Sequence, residues 1–274
     1  MTRSSSFSAG SCWGSSATDA VKPYAVVSCH VERPLDDECW SRFVALQARR
    51  PGGFRIAALM RPPDAAAGED EERWLARARS AAERGPLGHH THFVSPTRAR
   101  PAEPAPEHAE RVRREAEWIA ASGLAATLFC AGGWYLDAPV AVAVVEAGYV
   151  DCSATAFRPR YLDADAPRAE AAAPVYVTLP SGERILELPS THSLGMASRA
   201  VLRPSLGSRV VHVYFHDTDL LSALRRRTLT STLTVLGRRY RPIDLDELAH
   251  ASVDVAPDVP FDRFFRGRNA ASGQ

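Results

Sequence analysis

Three of the chain's nine histidines fall within four residues, in Gly88-His89-His90-Thr91-His92-Phe93. On an extended segment side chains repeat every second residue, so His90 and His92 share one face and His89 points to the other. Two imidazoles converging on one point suit a divalent transition metal, and zinc is the commonest guest of a site built from nitrogen and carboxylate donors. A His-x-His pair also arises on polar loops without function, so its weight depends on its company. Other residues able to do chemistry stand where strand patterns stop. His30 and Glu32 follow the first strand, Cys130 to Tyr135 the fourth, Asp151 the fifth, and His216 with Asp217 the last. In parallel α/β folds the carboxyl ends of the strands meet at the active site, which would gather these remote residues. Each also has an ordinary structural reading: His216 and His212 as buried core histidines, Asp37, Asp217 or Asp219 as helix N-caps, and Trp134-Tyr135 as plain core.

The elements that must position them alternate between strand and helix patterns, which predicts an α/β organisation with a largely parallel sheet. Tyr24 to Cys29 reads as a buried strand and Asp37 to Arg49 as a helix with Trp40, Phe43, Val44 and Leu46 inward. Phe54 to Met60 is a second strand, Asp70 to Arg84 a charged helix, and Pro86-Leu87-Gly88 a third short strand leading into the histidines. Pro96 to Pro106 is a Pro-rich connection long enough to cover a site. Then come a helix from about Glu107 to Ala121, a strand at Ala125 to Phe129, a turn at Gly132 to Tyr135, a helix at Pro139 to Ala147 and a strand at Tyr149 to Asp151. Val175 to Thr178 and Arg184 to Leu188 form a hairpin across Pro180-Ser181-Gly182. Val210 to Phe215 is the clearest late strand, and a basic helix spans Leu220 to Leu236.

With 274 residues and 45% hydrophobic content, one domain with a large core is favoured. We expect a flexible Ser/Gly-rich leader over residues 1–21, the folded domain over 22–250, and a C-terminal extension over 251–274 that lies across the body through Phe261, Phe264 and Phe265 before fraying. A formal net charge of +1 argues against a nucleic-acid footprint or a polybasic membrane patch. No apolar run approaches the roughly 20 residues of a membrane span. Five cysteines at irregular spacing, with no Cys-x-x-Cys, fit a reducing cytoplasm better than a disulfide framework.

Five stretches occur in the order of the motifs of polysaccharide deacetylases: Gly88 to His92, Phe129-Cys130-Ala131-Gly132-Gly133-Trp134-Tyr135, Glu146 to Ser153, Glu187-Leu188-Pro189, and Tyr214-Phe215-His216-Asp217. From about Tyr24 to Leu248 the chain resembles that family, carbohydrate esterase family 4 and its relatives. The resemblance implies a distorted (β/α) barrel with about seven strands, and a metal-dependent removal of acyl groups from N-acetylated sugars. It also marks departures. The family's first motif supplies a base aspartate and an acidic metal ligand, where this chain has His30-Val31-Glu32; its third motif carries an arginine that orients the base, where Cys130 stands; and four residues after His90 comes Val94, leaving His92 as the second imidazole. Losing an anionic base together with its cationic partner is electrically consistent, since either alone leaves an unpaired buried charge.

What the resemblance implies is therefore a zinc-type ion held by Glu32, His90 and His92, with Asp36 and Asp37 as rival acidic ligands. His30 stands as general base or as a further ligand, and His216 as the acid for the leaving amine with Asp217 fixing its tautomer. A backbone N–H near Ala131 to Gly133 is expected at the oxyanion, and Gly132, Gly133, Trp134 and Tyr135 around a small-molecule or carbohydrate substrate. The alternative is a protein on the same fold that binds such a ligand without hydrolysing it.

Overall fold

The computed structural model describes residues 23–162, 166, 168–203 and 209–266. The expected leader, Cys12 and the terminal residues 267–274 lie outside the described residues. In chain order the elements are β1 (Tyr24–Val31), α1 (Asp37–Arg49), β2 (Ala57–Met60), α2 (Glu71–Ala82), β3 (Leu87–His89), α3 (Pro106–Ala121), β4 (Leu128–Phe129), α4 (Ala138–Glu146), β5 (Val150–Asp151), β6 (Arg168–Ala169) and β7 (Val175–Thr178). There follow β8 (Arg184–Glu187), β9 (His192–Ser193), α5 (Leu194–Ala200), β10 (Val210–His216), α6 (Ala223–Arg239), β11 (Arg241–Pro242), α7 (Leu245–Ser252), β12 (Asp258–Pro260), α8 (Phe261–Phe264) and β13 (Phe265–Arg266).

The main sheet runs β12-β7-β8-β5-β4-β3-β2-β1-β10-β9, with β11 also paired to β1. Every pairing in it is parallel except the β7/β8 hairpin, which the turn residues at Pro180 to Gly182 had announced. The sheet has eleven strands, which corrects the expectation of about seven. β9, β11 and β12 are two or three residues long, too short for any period to show. The pairing order is a linear path through a large, mostly parallel sheet, which is consistent with a barrel-like α/β fold. Its two flanks are nonetheless bridged after β8, where Leu188 N–H donates to Asp151 O at 2.8 Å and Thr191 N–H to His212 O at 3.0 Å.

Burial explains why β1 carries so few polar residues. Ala25, Val27, Cys29 and Val31 pack on the helix side with Phe43, Leu46, Trp74, Leu229 and Leu233. Val26 belongs to an inner cluster with Leu59, Leu128, Cys130, Trp134, Leu188 and Tyr214. A strand enclosed on both faces needs apolar residues at both parities, and its polar exceptions, Ser28 and His30, share the interior-facing parity of Val26. A third cluster, under α3 and α4, holds Phe93, Val112, Phe129, Tyr135, Phe264 and Phe265, so the C-terminal aromatic residues do anchor on the body.

Helix starts follow side-chain capping. Asp36, not Asp37, caps α1 by accepting Cys39 N–H at 2.9 Å, while Asp37 instead pairs with Arg73 and Arg77 of α2. Asp70 caps α2 and Ser222 caps α6, so neither Asp217 nor Asp219 starts the long basic helix. No described helix is long and apolar enough to cross a membrane.

Register sets the strand ends level. His30 of β1 lies opposite His216 of β10 and opposite Leu59 of β2. His89 of β3 pairs with Phe129 of β4, and Asp151 of β5 with Glu187 of β8. Gly88 allows this closeness, since a methyl group there would lie 2.4 Å from Leu59 Cδ2 and 2.9 Å from Leu128 Cβ. Gly88→Ala should therefore destabilise the fold by about 1–3 kcal/mol through overpacking. Urea unfolding should show a lower midpoint at unchanged slope; an unshifted midpoint would mean that β3 is not confined as described.

Candidate functional site

β3 stops at His89, so His90 and His92 lie just beyond the strand, yet the alternation continues through them. His89 turns to the helix layer, where its Nε2 meets Glu115 Oε2 at 2.8 Å. His90 and His92 turn the other way, with ring centroids 5.0 Å apart. The Nδ1 of His90 donates to Cys130 O at 2.8 Å, and that of His92 to Pro96 O at 3.0 Å. A carbonyl can only accept, so each bond fixes the tautomer with its proton on Nδ1 and leaves a lone pair on Nε2. Both Nε2 atoms are buried and have no hydrogen-bond partner. The Pro-rich connection thus supplies one of the two carbonyls that aim the imidazoles. Burial pushes both rings below the usual imidazole pKa, and for His90 the neighbouring His92 adds to this.

Glu32 completes a cluster with them: one ligand atom each from Glu32, His90 and His92 lies within 4.8 Å of the others. Its Oε1 is 3.9 Å from His92 Nε2 and 3.6 Å from His216 Nε2. The backbone of Glu32 is held by Arg61, whose Nε donates to Glu32 O at 3.0 Å and whose other nitrogens grip Glu69 in a bidentate pair at 2.8 and 2.6 Å. Asp36 and Asp37 are engaged at α1 and α2, which removes them as rivals to Glu32.

His30 sits beneath, 3% exposed, with its ring 4.7 Å from His90, 5.3 Å from His216 and 5.3 Å from Tyr214. Its Nε2 is 3.7 Å from Cys130 Sγ. Burial, then the charges that His90, His216, His212 and His92 would carry, hold His30 well below the ordinary imidazole value, so it is neutral. Trp134 closes the same wall, 4.8 Å from Tyr214 and 5.6 Å from His30, and its buried Nε1 has no partner.

Several expected roles do not match the geometry. Asp217 does not orient His216: its Oδ2 accepts Arg33 N–H and its Oδ1 Thr218 N–H, both at 2.8 Å, and burial raises its pKa to about 6. Tyr135 lies in the cluster under α3 and α4, bonded to Asp137 and ringed by Phe93 and His108. Gly132 and Gly133 serve the turn, since a methyl group on Gly132 would meet Thr91 O at 2.6 Å and one on Gly133 would meet Arg100 Cβ at 2.6 Å. The N–H groups of Ala131 and Gly132 are already given to Ser153 Oγ and Thr91 O, so neither is an oxyanion donor. His212 is a core histidine, bonded to Ser28 Oγ at 2.8 Å.

Sequence reasoning assigned no role to Tyr214 or to the pair Asp151 and Glu187. Tyr214 precedes His216 by two residues on one strand, a signal that was present. The two carboxyls are fully buried on adjacent strands. Asp151 Oδ1 accepts Ser153 N–H and Oγ–H at 2.9 and 2.6 Å, and Glu187 Oε1 accepts Ala154 N–H at 2.9 Å. Their remaining oxygens have no hydrogen-bond partner, and burial keeps a proton on the pair. Burial raises Asp151 to about 6, and burial with the Asp151 charge raises Glu187 well above the carboxylate range.

No family model and no curated protein matches the chain by sequence. Among solved structures, 4-alpha-glucanotransferase from Thermococcus litoralis is similar over 86% of this chain at 14% identity, with a TM-score of 0.55. This chain covers 39% of that enzyme's length, and the likeness is one of fold alone. A family 4 carbohydrate esterase from Streptomyces lividans in complex with acetate aligns over 80% of this chain and 89% of its own at 12% identity, with a TM-score of 0.44. A mutant of a family 4 pseudoenzyme with restored enzymatic activity aligns over 87% and 69% at 10% identity, with a TM-score of 0.46.

The carboxyl pair has a measurable consequence. Folded, it binds its proton more tightly than the unfolded chain does, so it contributes most below the unfolded value near 4 and loses that contribution as pH rises through about 6. Glu187→Gln keeps the acceptor for Ala154 and places a permanent N–H donor against Asp151. Relative to the native chain, this variant should gain on the order of 2 kcal/mol between pH 4 and pH 8. Urea unfolding across that range checks this; an equal difference at both ends would refute the retained proton.

Proposed function

We propose that the chain is a metal-dependent amide hydrolase on a polysaccharide-deacetylase-like barrel, which removes an acyl group, acetyl in the first instance, from an N-acylated sugar or sugar-like small molecule. The observation that carries the reading is the pair of buried, unpartnered Nε2 lone pairs on His90 and His92, each aimed by a carbonyl and facing the Glu32 carboxylate. Metal-ligating histidines commonly donate their other nitrogen to a carbonyl in this way. Two neutral imidazoles and a carboxylate fit zinc, and Glu32, His90 and His92 would hold it. Bound there, the ion would lower the pKa of water and polarise an acyl carbonyl.

The chain's own residues supply the rest. His30, kept neutral by burial, accepts the proton of the attacking water, and it needs no arginine to balance it because it starts uncharged. His216, one third exposed and facing Glu32, is placed to give a proton to the departing amine. The unpartnered Nε1–H of Trp134 is a donor available to a substrate oxygen, while Tyr214 offers a flat wall beside it. The four described cysteines are all unpaired, in keeping with a reducing cytoplasm.

Purified without chelator, the protein should carry about one zinc per chain, and the joint replacement His90→Ala with His92→Ala should abolish it. With N-acetylated amino sugars it should release acetate. His30→Ala should lose about 10²- to 10⁴-fold in kcat/KM. The base must be unprotonated, and burial holds His30 below the ordinary imidazole value, so the acid limb of kcat/KM should lie below that value and His30→Ala should remove it. Ligands that raise the melting temperature without any release of acid or amine would replace this reading with the binding role.

A further inference from the structure

The interior holds a second set of donors that overlaps the first and adds Cys130, which the hydrolase reading does not use. One ligand atom each of His30, His90 and Cys130 lies within 4.8 Å of the others, and all three residues are buried. Cys130 follows β4, and its Sγ is 3.7 Å from His30 Nε2. An ion with metal–sulfur and metal–nitrogen bonds of about 2.3 and 2.05 Å at a tetrahedral angle holds those two atoms about 3.6 Å apart. The separation found needs almost no adjustment. The outer set is looser, with 3.9 Å between His92 Nε2 and Glu32 Oε1, and Glu32 is half-buried. His90 is common to both sets. Its Nδ1 is committed to Cys130 O, so only the buried, unpartnered Nε2 can coordinate, and it can serve one ion at a time.

We propose that His30, His90 and Cys130 form a deep site for a thiophilic ion of the zinc type, distinct from and mutually exclusive with the Glu32–His90–His92 set. Thiolate with two imidazoles is a soft donor set, which selects for zinc or cuprous copper over magnesium, calcium or manganese. The sulfur is a thiol before the ion arrives, donating weakly to Cys152 O at 3.5 Å and to Ala131 O at 3.8 Å. Coordination replaces that S–H by a metal–sulfur bond and releases the proton to solvent. Resting on the hydrolase reading, one consequence follows: the ion divides between the two sets, and the fraction of chains that hold it in the deep site, where it takes His30 and a ligand of the outer set, lacks both base and working metal, so acetate release comes from the fraction that holds it in the outer set.

The test is made on the full-length chain, stripped with chelator and reloaded with one equivalent of Zn2+ or of Co2+ as the optical probe. X-ray absorption of the zinc form should find sulfur at about 2.3 Å, averaging up to one neighbour per zinc, and the cobalt form should show a near-ultraviolet thiolate-to-cobalt charge-transfer band. His92→Ala, which damages only the outer set, should keep the band. Cys130→Ser should lose it while still binding cobalt through oxygen and nitrogen. A native metal shell of nitrogen and oxygen alone would overturn the deep site and leave the outer site standing. Loss of all metal from His92→Ala would also overturn it. A sulfur neighbour retained undiminished in His92→Ala, with no acetate released by the native chain under any loading, would sink the hydrolase reading and keep the deep site.

Discussion

Two imidazole N–H groups, each held by a backbone carbonyl, set the chemistry of this molecule. The bonds from His90 to Cys130 O and from His92 to Pro96 O decide which nitrogen carries the proton. They turn two flexible rings into fixed lone pairs inside the fold. Each carbonyl comes from a different part of the chain, one beyond β4 and one in the Pro-rich connection, so ring orientation depends on the sheet register and on the connection together. The parallel pairing of β3 with β4 brings His89 level with Phe129, and hence the next residue, His90, level with Cys130. Gly88 is what lets β3 lie that close.

Neutrality is the second constraint. A buried unpaired charge costs several kcal/mol, so an interior cannot keep a lone carboxylate or guanidinium. Here the buried His30 and Cys130, side by side at 3.7 Å, are both uncharged in place. The remaining buried acids obey the same rule: burial keeps a proton on the pair Asp151 and Glu187, and Asp217 is raised to about 6 while accepting two backbone N–H groups. The carboxylate that faces His90 and His92 is Glu32, which is partly open to solvent and so loses less hydration.

Much of this was legible in the sequence because it depends on periods. The alternation of strand and helix, the bounds of α1, the β7/β8 hairpin and the convergence of His30, Glu32, His90, His92 and His216 all follow from patterns several residues long. What was not legible depends on contacts between distant segments. Asp217 read as a partner of His216 because the two are adjacent, but its oxygens are taken by the Arg33 and Thr218 N–H groups. Trp134 and Tyr135 read as one substrate platform, yet consecutive residues in a turn diverge, and the positive φ of Trp134 sends the pair into different clusters. The extra short strands escape any periodic reading for want of length.

The same burial that keeps His30 unprotonated also leaves Cys130 protonated and the Nε2 of His90 without a hydrogen-bond partner, so the buried donors around His90 are all neutral. Whatever cation enters meets hard donors at the half-buried rim, in Glu32, and soft ones at the enclosed floor, in Cys130, with a single imidazole between them. Softness and depth therefore vary together along one axis. On the proposal of two overlapping sites, a hard ion that retains part of its hydration would be held at the rim, and a soft ion that sheds its water would gain most at the floor. The selectivity of such a site is set by how far an ion will dehydrate, and the fold expresses that difference as position.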